Sequence, residues 1–154
     1  MFIRIKDGQQ ADANRDNLRE FLASRGLHIA GGNSDSILDA DNKPLTFDGY
    51  WTDLTLDPLD QQDLVSGGIS HATLSHEECE FIYNLCVAGG FLVINPQGGP
   101  TTIVINHNHR EEDLFDLDDT LWADSVDEFA QIVGAPFLDF QNWRDRVMQS
   151  QTPK

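Results

Sequence analysis

The stretch from Ser75 to Asn106 limits the folds open to this chain more than any other. Ser75-His76-Glu77-Glu78 has the form of a capping box, in which a Ser hydroxyl accepts from the amide three residues on. Cys79, Ile82, Tyr83 and Cys86 then recur at helical spacing until Gly89-Gly90, so a helix is expected over about 75–88. Phe91-Leu92-Val93-Ile94-Asn95 and Thr102-Ile103-Val104-Ile105-Asn106 come next, rich in β-branched side chains and joined by Pro96-Gln97-Gly98-Gly99-Pro100. Two such runs predict a hairpin over about 91–95 and 102–106. Being apolar at consecutive positions, its strands need cover on both faces and belong at the centre of a sheet.

The flanking sequence supplies further elements. Phe2 to Lys6 alternates apolar and basic residues and reads as a short edge strand. Leu18, Phe21 and Leu22 mark a helix over about 12–25 that Gly26 ends before the apolar piece Leu27 to Ala30. Gly31 to Pro44 reads as loop with a brief strand at Ser36 to Leu38. Leu45 to Leu56 alternates around Asp48-Gly49, as strand, turn and strand do. Ser125-Val126-Asp127-Glu128 is a second capping box, opening a helix over about 126–133. Phe137, Phe140, Trp143 and Val147 predict a last helix over about 137–149. The expectation is one α+β domain over residues 1–154, with a small, mostly antiparallel sheet packed by four helices. At 154 residues and 40% hydrophobic content it can bury a core without disulfides or a structural metal.

Charge narrows the function. The chain has 26 Asp and Glu against 10 Lys and Arg, a formal net charge of -16. From Ser34 to Phe129 there are 20 acidic residues and two basic ones, Lys43 and Arg110, so this segment alone stands at -18. Nucleic acid and anionic membranes would be repelled, whereas a basic protein would be attracted. The start, Met1-Phe2-Ile3-Arg4-Ile5-Lys6, lacks an apolar signal core, and no apolar run reaches the roughly 20 residues of a membrane span. A cytoplasmic protein is expected. Cys79 and Cys86, seven residues apart on one helix, would sit about 10.5 Å apart, too far for a disulfide, and read as buried thiols.

No catalytic or cofactor constellation emerges. Phe115-Asp116-Leu117-Asp118-Asp119-Thr120-Leu121 resembles the first motif of haloacid-dehalogenase-like phosphohydrolases, in which the first Asp is the nucleophile and the second the general acid. That family seats the motif at the end of an apolar strand of a larger sheet; here Glu111-Glu112-Asp113 precede it and 34 residues follow Thr120. The match is read as similarity within an acidic run. Asp116, Asp118 and Thr120 also fit the first ligand spacings of a calcium loop, but Leu121 stands where the loop needs Gly and Asp127 where it needs Glu. His107 and His109 would share one face if their strand continued past Asn106, and such a pair can begin a metal site. No further His completes a recognised set, so a polar cluster at the hairpin end is expected.

What remains is surface. From Glu111 to Glu128 there are nine carboxylates in 18 residues and no basic residue, a density that disfavours helix and favours extended chain or turns. Asp113, Phe115, Asp116, Asp118, Asp119, Trp122 and Asp124 combine aromatic anchors with charge and form the first candidate for partner binding. Tyr50, Trp51, Asp53, Asp57, Asp60 and Asp63 form the second. For Trp51 and Trp122 core packing is the competing reading.

In size, acidity and compact α+β character the whole chain resembles the immunity proteins of bacterial polymorphic toxin systems. The resemblance implies a non-enzymatic inhibitor that binds a cognate toxin with a basic surface, such as a nuclease or nucleotide-using enzyme, and covers its active site. The alternative is a nucleic-acid mimic of the anti-restriction or anti-CRISPR kind, and after it an enzyme of unrecognised type.

Overall fold

The computed structural model describes residues 1–30, 35–47, 49–69, 75–94, 102–114 and 120–133. In chain order the elements are β1 (Phe2–Lys6), β2 (Gln9–Ala11), α1 (Arg15–Ser24), β3 (His28–Ile29), β4 (Ile37–Leu38), β5 (Thr46–Phe47) and β6 (Tyr50–Trp51). They continue with β7 (Thr55–Leu56), β8 (Gly67–Gly68), α2 (His76–Gly89), β9 (Leu92–Ile94), β10 (Thr102–Ile105), β11 (Thr120–Ala123) and α3 (Val126–Val133).

A mixed sheet of seven strands runs β11-β10-β9-β1-β8-β7, with β2 paired to the far end of β1; β3-β4 and β5-β6 are separate two-stranded pairs. This corrects the expected architecture of a small antiparallel sheet under four helices. Three helices lie among the described residues, and the proposed helix over 137–149 falls outside them. Nor is β1 an edge strand: Phe2 pairs with both Val93 and Gly67, and Arg4 to Lys6 pair with β2. The parallel β10-β11 ladder runs from Thr102↔Thr120 to Ile105↔Ala123. Parallel neighbours need a crossover of a dozen or more residues, and the chain between Ile105 and Thr120 is long enough. The sheet extends beyond the predicted strands in part because β7 and β8, at two residues each, are too short to show a period.

Gly67-Gly68 shows the physical reason most directly. A Cβ added at Gly67 would stand 2.7 Å from the Thr55 carbonyl oxygen, so the β7-β8 ladder closes only over a missing side chain. A pair of glycines reads as loop, yet here it is what admits the neighbouring backbone.

Alternation along the strands separates two apolar layers. Phe2, Val93, Ile103, Ile105 and Ala123 join Leu18 and Leu22 of α1, Cys79, Ile82, Leu85 and Cys86 of α2, and Phe129 of α3 in the main core. Ile5, Leu92 and Val104 occupy the opposite face, with Ile3, Ile94, Leu114 and Trp122 packed around them. The helices are set by local chemistry. Asn14 caps α1 by accepting from the Asn17 amide, and Ser75 caps α2 by accepting from the Glu78 amide. Helix α2 ends at Gly90, whose φ of 72° suits glycine, and a Cβ on Gly89 would lie 2.6 Å from the buried ring of Phe91.

Both cysteines are free and buried. Burial, then the charge of Glu78, pushes the Cys79 thiol up to about 11, and burial raises that of Cys86 still further. Neither forms thiolate at neutral pH, so both are inert. We expect the same melting temperature with and without dithiothreitol, and reaction with a thiol-specific disulfide reagent only after unfolding. Rapid labelling of the native protein would contradict this packing. Among the described residues no helix is long and apolar enough to cross a membrane.

Candidate functional site

The first acidic candidate is only partly within the described residues: Phe115, Asp116, Asp118 and Asp119 lie outside them, whereas Asp113, Trp122 and Asp124 lie inside. Glu111 to Asp113 form one 3-10 turn. Asp113 holds the β1-β2 turn, its Oδ1 accepting from the Asp7 amide at 3.2 Å and its carbonyl from the Gly8 amide at 3.0 Å. Trp122 is half-buried in the second apolar layer, where β11 places it beside the core that holds Val104. Asp124 Oδ2 lies 3.0 Å from His107 Nε2, and the Asp124 amide donates to Glu128 Oε2. These three residues have fold-holding contacts, with Asp124 also adding to a negative rim over Tyr83. Burial first, then Asp124 and Glu128, keeps the Tyr83 phenol above its ordinary range.

The histidines do not form the pair that a continuing strand would give. Strand β10 stops at Ile105, and Asn106 and His107 take φ of 50° and 53°, so the chain turns. His107 is left exposed beside Asp124, whereas His109 goes inward and is 6% exposed. Its Nε2 accepts from the Ile5 amide at 3.1 Å, beyond the point where the β1-β9 ladder ends at Ile3↔Leu92. An acceptor at Nε2 leaves the proton on Nδ1, which then donates to Asn108 Oδ1 at 2.6 Å, while Asn108 Nδ2 donates to the Phe91 carbonyl. His109 therefore stands in for a missing strand. Among the described residues no group of three His, Cys, Asp or Glu is placed to hold a metal ion.

The second candidate divides into two parts. Asp57 Oδ2 accepts from the amide and hydroxyl of Ser66 and from Gln61, stapling its own loop, and the carbonyl of Asp63 accepts from Arg15. Asp53 is half-exposed and Asp60 exposed. Tyr50 and Trp51, in contrast, are 70% and 75% exposed. They sit on β6, paired to Phe47 and Thr46 of β5 across a turn in which Gly49 has φ 82°. Core packing is excluded for Trp51. The hairpin is rooted by Phe47, whose ring lies 5.6 Å from that of the buried Phe81 in α2.

Beside this root the structure opens a groove of about 280 Å³ between the hairpin and α2, lined by Phe47 and Phe81 and by Arg25, Glu77, Glu80 and Asn84. The sequence carried a signal for it: Glu77, Glu80 and Asn84 recur at helical spacing on the polar side of α2. What it lacked was the hairpin's position over that side. A larger depression of about 520 Å³ lies between α1 and the chain at Pro58 to Asp60, walled by Leu22, Leu27, Ile29 and Leu59. Arg19 at its rim is already bonded to the Leu59 carbonyl and to Asp16. It presents no convergent set of polar groups for chemistry. No protein-family model, curated protein or solved structure matches the chain.

Proposed function

We propose that the chain is an inhibitor of the immunity-protein kind, which binds a basic toxin enzyme and neutralises it by covering the active site with an acidic surface. One observation carries this reading: the concentration of 20 carboxylates against two basic residues between Ser34 and Phe129. Like charge held together opposes folding through mutual repulsion, so stability gives no reason to gather it. A partner's Lys and Arg side chains relieve that repulsion on binding and are steered in by it. Two exposed aromatic side chains in the same segment, Tyr50 and Trp51, supply the apolar anchors that charge alone does not.

The test uses the protein encoded by a neighbouring reading frame, purified and mixed with this chain. A tight complex whose association slows as salt is raised supports the reading, because steering between opposite charges is screened over about 8–10 Å near physiological ionic strength. Replacing Asp116, Asp118 and Asp119 together with Asn is expected to slow association while leaving the free chain as stable as before or more so. Absence of a complex, or one indifferent to salt, overturns the proposal.

A further inference from the structure

We propose that the β5-β6 hairpin and the polar side of α2 beneath it form the docking surface, and that its occupant is a Lys- or Arg-bearing segment of the partner protein. This rests on the reading of the chain as a binder of a basic protein and deepens it by assigning the surface.

Tyr50 and Trp51 are consecutive on a strand, so their side chains project to opposite sides of the hairpin. Both are wet, at 70% and 75% exposure, although Phe47, the cross-strand partner of Tyr50, packs on the body. Local structure does not require them there: Phe47 roots the hairpin on Phe81, and the turn depends on Gly49. Exposed indole and phenol rings held on a rooted hairpin lose little freedom when covered, which is the property of an anchor.

The surroundings select the occupant. The groove floor is aromatic, from Phe47 and Phe81, and Glu77 and Glu80 bring carboxylates to its wall. Its cation, Arg25, is turned over the Phe21 ring at 4.5 Å. From Asp35 to Asp63 the chain carries eight Asp and one basic residue, Lys43, so the segment that bears the hairpin is itself strongly acidic. An anionic segment would be repelled, and a neutral apolar one would desolvate carboxylates without compensating them. A guanidinium or ammonium group is stabilised twice, by the face of one of the two exposed rings and by the carboxylates of the groove wall, while its aliphatic stem covers apolar surface.

The experiment is a ¹⁵N NMR titration of the whole chain with a short, end-blocked peptide alternating Arg and Leu, and with its counterpart in which Gln replaces Arg. The expected result is saturable shifts of the Trp51 indole N–H and of the Phe47, Glu80 and Asn84 amides with the Arg peptide alone. Tyr50→Ala/Trp51→Ala, which removes only exposed side chains, should weaken binding roughly tenfold or more. Glu80→Gln should weaken it less and reduce its dependence on salt. Equal shifts with the Gln peptide would overturn the cationic occupant. Dimerisation, or binding to phosphatidylcholine vesicles, that the double variant abolishes would assign the aromatic pair to a second copy or a membrane and overturn the proposal too. Saturable shifts centred on Asp113 and Asp124 would overturn this surface while leaving the basic-partner reading intact. No salt-sensitive binding of the Arg peptide anywhere would remove both.

Discussion

Arg15→Ala is expected to lower the unfolding free energy by about 3 kcal/mol, because one guanidinium ties the start of α1 to a chain crossing more than forty residues away. Nε donates to Asp12 Oδ2 at 2.9 Å, Nη1 to the carbonyls of Leu59 and Gln61, and Nη2 to the Asp63 carbonyl at 2.8 Å. Asp12 completes the knot by accepting from the Val65 amide with its other oxygen. The side chain of Arg15 is 22% exposed, so its loss leaves several acceptors that water satisfies only in part. Hydrogen bonds to a charged donor contribute about 1.5–3 kcal/mol each, but bonds that share one donor are not additive, which holds the total near that of one or two. Arg19 retains its own bond to Leu59 and limits the loss further. Arg15→Lys should recover less than half, since an ammonium cannot present a planar fork to three carbonyls. Urea unfolding with an unchanged m value gives the number, and a cost below about 1 kcal/mol would show that the Arg15 bonds add little to what Arg19, Asp12 and apolar packing already hold.

Arg15 also marks how far the sequence could be read. It stands at the head of a helix that Leu18, Phe21 and Leu22 announce by their spacing, and there it reads as one more polar residue of the first turn. Its partners are backbone carbonyls, which carry no residue-specific signal. The same limit hid β7 and β8, whose pairing is a matter of backbone approach at Gly67, and β11, whose four residues lie inside a run of carboxylates. Elements that bury a periodic apolar face were legible: α2 runs from His76 to Gly89 under a Ser75 cap, and α3 covers Val126 to Val133. Elements held by long-range backbone bonding were not.

The candidate surfaces divided in the same way. Composition pointed to two acidic stretches with aromatics in them, but which carboxylates are spent on the fold depends on distant partners. Asp57 answers Ser66, and Asp113 answers a turn more than a hundred residues earlier. For Trp51 a place in the core is the competing reading from sequence, because an alternating strand does not say whether anything covers it. Both Tyr50 and Trp51 are exposed on the short β5-β6 pair, which stands outside the main sheet.

The native protein should lose about 2 kcal/mol of stability through His109 between pH 6.5 and pH 4, a loss absent from His109→Leu. Burial, then the positive charge of Arg4, holds the imidazole down at about 4 against the ordinary 6.5, with Asp113 pulling weakly the other way. A His lowered on folding binds fewer protons folded than unfolded between those two values, so stability rises with pH across that window and falls as pH drops through it. The full shift would correspond to about 3 kcal/mol, and screening by nearby solvent reduces it. Structure supplies the reason: protonating Nε2 removes the acceptor of the Ile5 amide and sets two N–H groups against each other at 3.1 Å. Leu at this position never gains the proton but orphans the Ile5 amide, so at neutral pH the variant should be less stable by about 3 kcal/mol. The native advantage over it should then shrink steadily as pH falls toward 4. Carboxylates titrate in the same range, and comparing the two proteins cancels them. Urea unfolding of both at matched pH values, with the His109 Cε1 proton followed by NMR, provides the measurement. A difference in stability constant with pH, or a midpoint near 6.5, would mean that the imidazole is not the acceptor that closes the edge of β1.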